Sequence, residues 1–140
     1  MIDQGVAIAS VEVAAPPERV FEALASAEVT KWWVRPGVFD TREWSGDVRP
    51  GGKWHASGVG RGKLYTLQGE FLEVEAPRRL AHTWQAPGCV CTYTLERHGE
   101  KTRVTLRHSG LKDPQTLENT AIGWDTSFEA LARVLSQRPG

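Results

Sequence analysis

The sequence lacks an excess of charge of either sign, because 17 Lys and Arg residues balance 17 Asp and Glu residues among 140 in total. Proteins that bind nucleic acids usually carry a basic excess, so nucleic acid is not an expected partner. No run of 18 apolar residues occurs, so no membrane span is predicted, and the first 25 residues lack the order of a signal peptide. These absences predict a cytoplasmic protein without a membrane span.

Cysteines are few, and the only two are Cys89 and Cys91. On a strand this spacing points both side chains to one face, where an unstrained disulfide between them is not expected. A metal site would need three or four ligands, with His82 as the nearest addition, and no second cysteine pair or regular histidine spacing supports one. We interpret both cysteines as reduced, packed thiols, with a reactive thiol in a pocket as the alternative. No metal and no cofactor are predicted.

Several motifs that identify common enzyme classes are also missing. The sequence contains no nucleophile elbow, phosphate-binding loop, dinucleotide fingerprint or HExxH pattern. Its glycine-rich stretch, residues 58–62, opens onto another predicted strand rather than a helix, so it is interpreted as a hairpin turn without an anion-binding helix terminus.

Tryptophan, in contrast, is abundant. The apolar fraction of 40% and the charged fraction of 24% are typical of one globular domain, predicted to span residues 1–140. A core of this size would need one or two indoles, yet six are present: Trp32, Trp33, Trp44, Trp54, Trp84 and Trp124. Because an indole carries an N–H that needs a partner, tryptophan often lines cavities with one wet edge. The composition leaves two interpretations open, a bulky core and an aromatic-lined pocket.

The order of elements indicates an α+β fold. Residues 5–14 are small, β-branched and partly alternating, which predicts a strand, and Pro16 and Pro17 then favour the start of a helix. Ser26 is a candidate cap for a second short helix. From about 41 to 109, turn signals at strand spacing predict an antiparallel meander of five or six runs.

The last segment is predicted to be one long amphipathic helix. Asp113 is a suitable N-cap and Pro114 a suitable first-turn residue. An apolar stripe follows at helical spacing, formed by Leu117, Ala121, Trp124, Phe128, Leu131 and Leu135. We therefore predict a helix-grip fold, in which a curved antiparallel sheet of six to seven strands wraps around the long C-terminal helix, with two short helices after the first strand.

Six segments in the same order resemble a known family. They are residues 15–21, 31–33, 49–54, 77–84, 102–111 and 123–124. The sequence is similar, over about residues 8–136, to the SRPBCC (START-like) superfamily, in the branch of homologues of the heat-shock-protein-90 ATPase activator. The resemblance implies a cavity between sheet and long helix that takes small apolar or aromatic molecules. It does not imply one function, since relatives include lipid carriers, polyketide cyclases, antibiotic-sequestering proteins, hormone receptors and co-chaperone domains.

Nine residues are candidates for contact with such a ligand: Trp33, Trp54, His82, Trp84, Cys91, Tyr93, His108, Trp124 and Phe128. Alternation along residues 102–108 places His108 on the inward face, and His82 shares a face with Trp84 two residues later. The alternatives stay open: His108 satisfying backbone groups, His82 at the rim, and Trp124 and Phe128 as plain core.

The sequence does not settle which face of its strand Glu70 occupies. Leu72 and Val74 are apolar on its face, so strict alternation would bury Glu70, and a buried carboxylate would be a candidate general base. A bulge at Gly69 would instead shift the register by one residue and send Glu70 to water, which is the favoured interpretation.

Three functional hypotheses follow. The leading one is a protein that binds a small hydrophobic or aromatic molecule in the cavity. The second is a cyclase- or hydrolase-type enzyme that uses a histidine or Glu70 in the same cavity. The third is a chaperone-regulating interaction domain. The expected partner is a small apolar or aromatic molecule, and the sequence leaves a homodimer open.

Overall fold

The computed structural model describes residues 1–136, apart from the side chains at 86 and 87, so the last four residues of the predicted domain lie outside the described part. The strands are β1 (Ile2–Asp3), β2 (Val6–Val13), β3 (Val34–Arg35), β4 (Phe39–Gly46), β5 (Lys53–Gly60), β6 (Lys63–Glu75), β7 (Arg79–Trp84), β8 (Ala86–His98) and β9 (Lys101–Ser109). The helices are α1 (Pro17–Leu24), α2 (Val29–Trp32) and α3 (Pro114–Ser136).

All strands belong to one antiparallel sheet of order β1-β2-β9-β8-β7-β6-β5-β4-β3. Seven strand spacings separate β2 from β3, roughly 34 Å if the sheet were flat. Helix α3 nevertheless packs against both β2 and β3, which one helix about 10 Å wide can do only if the sheet curves around it. The predicted helix-grip fold is therefore confirmed.

The strand count differs from the prediction of six to seven. The structure has nine strands within residues 1–136, and the two shortest, β1 and β3, contain two residues each. Strand β1 folds back onto β2 through a turn at Gln4 and Gly5, both with positive φ, and β3 pairs with β4. Two residues are too few to show a period, so β1 and β3 gave no signal in the sequence pattern.

The two short helices follow the first long strand as predicted. Helix α1 begins after Pro16 and buries Val20, Phe21 and Leu24. Helix α2 is a single turn that starts after Glu28, so Ser26 does not cap it directly. The Ser26 hydroxyl instead accepts a hydrogen bond from the Glu28 N–H at 3.2 Å. The Glu28 carboxylate binds both terminal nitrogens of Arg19 on α1.

The long helix α3 begins as the sequence predicts. The Asp113 carboxylate accepts hydrogen bonds from the Thr116 N–H at 2.9 Å and the Thr116 hydroxyl at 2.8 Å, which satisfies a free N–H of the first turn. The predicted apolar stripe is buried from Ala121 onward, whereas Leu117 is half-exposed. Only the C-terminal two thirds of the helix is thus covered by core, and its first turns border open space.

The register of strand β6 shows which face of the sheet Glu70 occupies. Phe71 pairs with His82 and Glu73 with Ala81, so Leu72 is the extra residue of a bulge between Phe71 and Glu73. Pairing with β5 is regular through Gly69 and Glu70. Glu70 is exposed, as favoured, but the bulge lies at Leu72 and not at Gly69. Gly69 is needed for a different reason, because a Cβ there would collide with the Thr83 carbonyl and the Trp54 indole.

Candidate functional site

A cavity of about 400 Å³ lies between the N-terminal half of α3 and the inner face of the sheet, where residues of β3, β4, β6, β7 and β9 line it. The sheet side is lined by Trp33, Arg35, Val38, Phe39, Thr41, Arg61, Tyr65, Leu67, Trp84 and His108. The helix side is lined by Thr116, Asn119, Thr120, Gly123, Trp124 and Ser127. We call this space the aromatic cavity.

Three indoles form the inner wall of the aromatic cavity. The ring centroids of Trp33 and Trp84 are 5.0 Å apart, those of Trp84 and Trp124 are 5.5 Å apart, and those of Trp33 and Trp124 are 6.2 Å apart. Because each ring is braced by the other two, the wall is rigid and presents π-surface to the space. Such a wall suits a flat apolar ligand.

His108 supplies a polar group to the same wall. Its Nδ1 accepts a hydrogen bond from the Trp124 indole N–H at 3.0 Å, which places the proton of the neutral ring on Nε2. Burial, with a smaller contribution from the neighbouring His82, lowers the pKa of His108 to about 4, so the ring is neutral at pH 7. The Nε2 atom is buried and has no hydrogen-bond partner among the described residues. His108 is therefore a neutral donor without an acceptor.

His82 lies in the core beside the aromatic cavity and does not line it. Its Nδ1 is 2.9 Å from the Thr83 carbonyl oxygen, and its ring packs against Trp54 and Tyr93. Burial lowers its pKa to about 4, more than the bond to the carbonyl raises it. The geometry places His82 as a packed, hydrogen-bonded core ring.

Four of the nine candidate residues line the aromatic cavity: Trp33, Trp84, His108 and Trp124. The other five are buried outside its lining: Trp54, His82, Cys91, Tyr93 and Phe128. Alternation correctly indicated the inward face, but that face is longer than the cavity, and these five fill the covered part. Burial also raises the pKa of the Cys91 thiol well above its usual value, as expected of a packed cysteine.

Further polar atoms of this aromatic cluster lack partners. Besides His108 Nε2, the indole nitrogens of Trp33 and Trp54 and the Tyr93 hydroxyl are buried without a hydrogen bond in the described part of the chain. Burial raises the pKa of Tyr93, and the nearby Trp33 N–H opposes that shift without reaching hydrogen-bond geometry. Native proteins leave few such groups, so four in one cluster beside a cavity are unusual.

The sequence interpretation missed the polar lining. On α3, Thr116, Thr120, Gly123 and Ser127 recur at spacings of 4, 3 and 4, which forms a small and polar stripe beside the apolar one. Across from it, the Tyr65 and Thr41 hydroxyls are 2.6 Å apart. The helical spacing of small residues was the available signal, but a stripe that faces a wet cavity has the same composition as one that faces solvent.

Two other features of the described residues bear on function. No three His, Cys, Asp or Glu side chains within residues 1–136 are grouped so that they could hold a metal ion. In the same part of the chain, no helix has both the length and the apolarity that crossing a membrane requires.

Comparison of the sequence with family models identifies the family of this chain. Residues 14–136 match the model of the family described as Activator of Hsp90 ATPase homolog 1-like protein. The chain belongs to this family. The predicted resemblance is thereby confirmed, and the helix-grip fold of the Hsp90 ATPase activator homologues commonly binds hydrophobic ligands.

Several solved structures share the fold. CV1439 from Chromobacterium violaceum is 25% identical, with a TM-score of 0.85 over 95% of this chain and 99% of that one. NE0264 from Nitrosomonas europaea is 24% identical, with a TM-score of 0.82 over 97% of both chains. Ms6760 from Mycobacterium smegmatis is 21% identical, with a TM-score of 0.79 over 94% and 91%. A comparison with curated proteins gives no significant match. Similarity to these structures therefore supplies a fold, and the function must be argued from the site.

Proposed function

We propose that this protein binds a small, planar, hydrophobic molecule in the aromatic cavity. The observation that carries the proposal is a hollow of about 400 Å³ whose inner wall consists of three mutually packed indoles. Ligand sites are typically hollows of about 300–1,000 Å³ with mostly apolar walls and a few convergent polar groups. The aromatic cavity has this size and this composition.

The polar groups of the cavity support an oriented ligand. His108 Nε2–H lacks an acceptor, and a buried donor without a partner is destabilising by about 1–3 kcal/mol. A carbonyl or hydroxyl oxygen at the inner end of the ligand would supply that acceptor. Because the pKa of His108 is about 4, the ring can donate this bond without carrying a charge at neutral pH.

Most residues that were candidates for a catalytic role lie outside the aromatic cavity. Glu70 is exposed on the outer face of the sheet, and His82 is outside the cavity lining. His108 remains as the one histidine in that lining, and its low pKa makes it a weak base at neutral pH. A chaperone-regulating role, a cytoplasmic location and a homodimer stay predictions.

Replacement of Trp84 by leucine tests the binding proposal. We expect the dissociation constant for 2-naphthamide, measured by quenching of tryptophan fluorescence, to rise about tenfold, because one wall of the stack is lost. The matched control is Trp44→Leu, which removes a half-buried indole outside the cavity lining. Circular dichroism confirms folding of both variants. If Trp44→Leu weakened binding and Trp84→Leu did not, the ligand would lie elsewhere.

A further inference from the structure

The charged side chains that line the aromatic cavity are all of one sign. Arg35 and Arg61 line it, and its lining contains no Asp or Glu among the described residues. The chain has a formal net charge of zero, so this imbalance is local. We propose that the natural ligand is an aromatic carboxylate whose ring lies among the indoles and whose carboxylate is bound by Arg35 and Arg61. This inference rests on the proposed binding function and names its substrate class.

Neither arginine has an acidic partner in the described part of the chain. Six other arginines lie within 4.0 Å of a carboxylate there: Arg19, Arg42, Arg49, Arg79, Arg97 and Arg103. Asp40, which lies between the lining residues Phe39 and Thr41 on β4, is exposed and pairs with Arg42. Five of the eleven arginines within residues 1–136 lack such a carboxylate, and Arg35 and Arg61 are the two of these that line the cavity, where they leave positive charge for a ligand.

Backbone hydrogen bonds hold the two arginines on one side of the cavity. The Val38 N–H donates to the Arg35 carbonyl at 2.9 Å, and the Arg61 N–H donates to the Val38 carbonyl at 3.0 Å. Arg61 has a φ of +51°, which is a left-handed backbone conformation that residues other than glycine rarely adopt. The β5–β6 turn is thus tied to the segment between β3 and β4, which brings two distant parts of the sequence together.

The lining residues differ in exposure from one end of the cavity to the other. Trp33 and Trp124 are buried, Arg35 is half-buried and Arg61 is exposed, so the rings lie at the inner end and the guanidinium groups at the solvent side. A ligand with an apolar ring and an anionic end matches this order. Guanidinium groups bind carboxylates through two parallel N–H···O bonds, which fixes the orientation of the ligand as well as its charge.

The test compares 2-naphthoate with 2-naphthamide, two probes with the same ring and nearly the same size that differ in charge. We expect 2-naphthoate to bind at least about tenfold more tightly, since hydrogen bonds to a charged group are roughly twice as strong as neutral ones. The double variant Arg35→Gln/Arg61→Gln should abolish this difference, so that it binds both probes with about the same affinity. Arg107→Gln, at an exposed position on β9 outside the cavity, is the matched control and should retain the difference.

The possible results distinguish failure of the carboxylate inference from failure of the proposed binding function. Equal affinity for both probes in the wild-type protein would overturn the carboxylate inference and leave cavity binding in place. A preference that persisted in the double variant, or that disappeared in Arg107→Gln, would also overturn it. Failure of both probes to bind the wild-type protein would overturn the proposed function together with the inference.

Discussion

Replacing Gly123 by leucine is expected to weaken 2-naphthamide binding about a hundredfold while the protein stays folded. Gly123 lies within α3 and lines the aromatic cavity. A Cβ at this position would have Phe39 Cε1 as its nearest neighbour at 3.8 Å, which is an ordinary contact. The helix therefore need not move, and the outer atoms of leucine would occupy the space between α3 and β4 where a ligand ring would lie.

Gly123→Ala is the matched control for this substitution. Alanine removes the glycine from the helix interior, which should raise the free energy of unfolding by about 1 kcal/mol, but its methyl group hardly enters the cavity. Urea unfolding and fluorescence titration of the wild type and both variants separate the two effects. We expect both variants to be more stable than the wild type and only Gly123→Leu to lose binding. A leucine variant that binds like the wild type would place the ligand outside the aromatic cavity.

The parts of the fold that the sequence predicted are those encoded by local patterns. The Asp113 cap and the α3 stripe depend on residues three or four positions apart, and each is present in the structure. Alternation along β9 likewise predicted that His108 faces inward. The bulge of β6 was misplaced because glycine is the usual local signal for a bulge, whereas the extra residue, Leu72, is defined only by pairing with β7.

The candidate site was predicted less completely than the fold, because a period of two gives the face of a sheet and not the position along it. Tyr93 and Trp84 are both on inward faces, yet only Trp84 reaches the aromatic cavity. Which inward side chains are covered depends on where α3 crosses the curved sheet. Arg61 was missed for a related reason, since only the hydrogen bond to Val38 brings its turn against the β3–β4 segment.

Acidification is expected to remove a large part of the stability of this protein between pH 6.5 and about 4. Burial lowers the pKa values of His82 and His108 to about 4, whereas a histidine in the unfolded chain has a pKa near 6.5. Within that window the unfolded state binds protons that the folded state does not, so stability falls as pH falls. Each histidine contributes a slope of up to about 1.4 kcal/mol per pH unit, or roughly 3 kcal/mol over the window.

The variant His82→Phe isolates half of this effect. Phenylalanine keeps a ring between Trp54 and Tyr93 but cannot bind a proton, so the slope of unfolding free energy against pH should decrease by up to about 1.4 kcal/mol per unit. The control His55→Gln replaces an exposed histidine on β5 and should retain the wild-type slope. Urea unfolding at half-unit steps from pH 7 to pH 4.5 measures all three slopes. Parallel curves for the wild type and His82→Phe would show that His82 binds its proton over the same pH range in the folded and unfolded states, which contradicts a pKa lowered by burial.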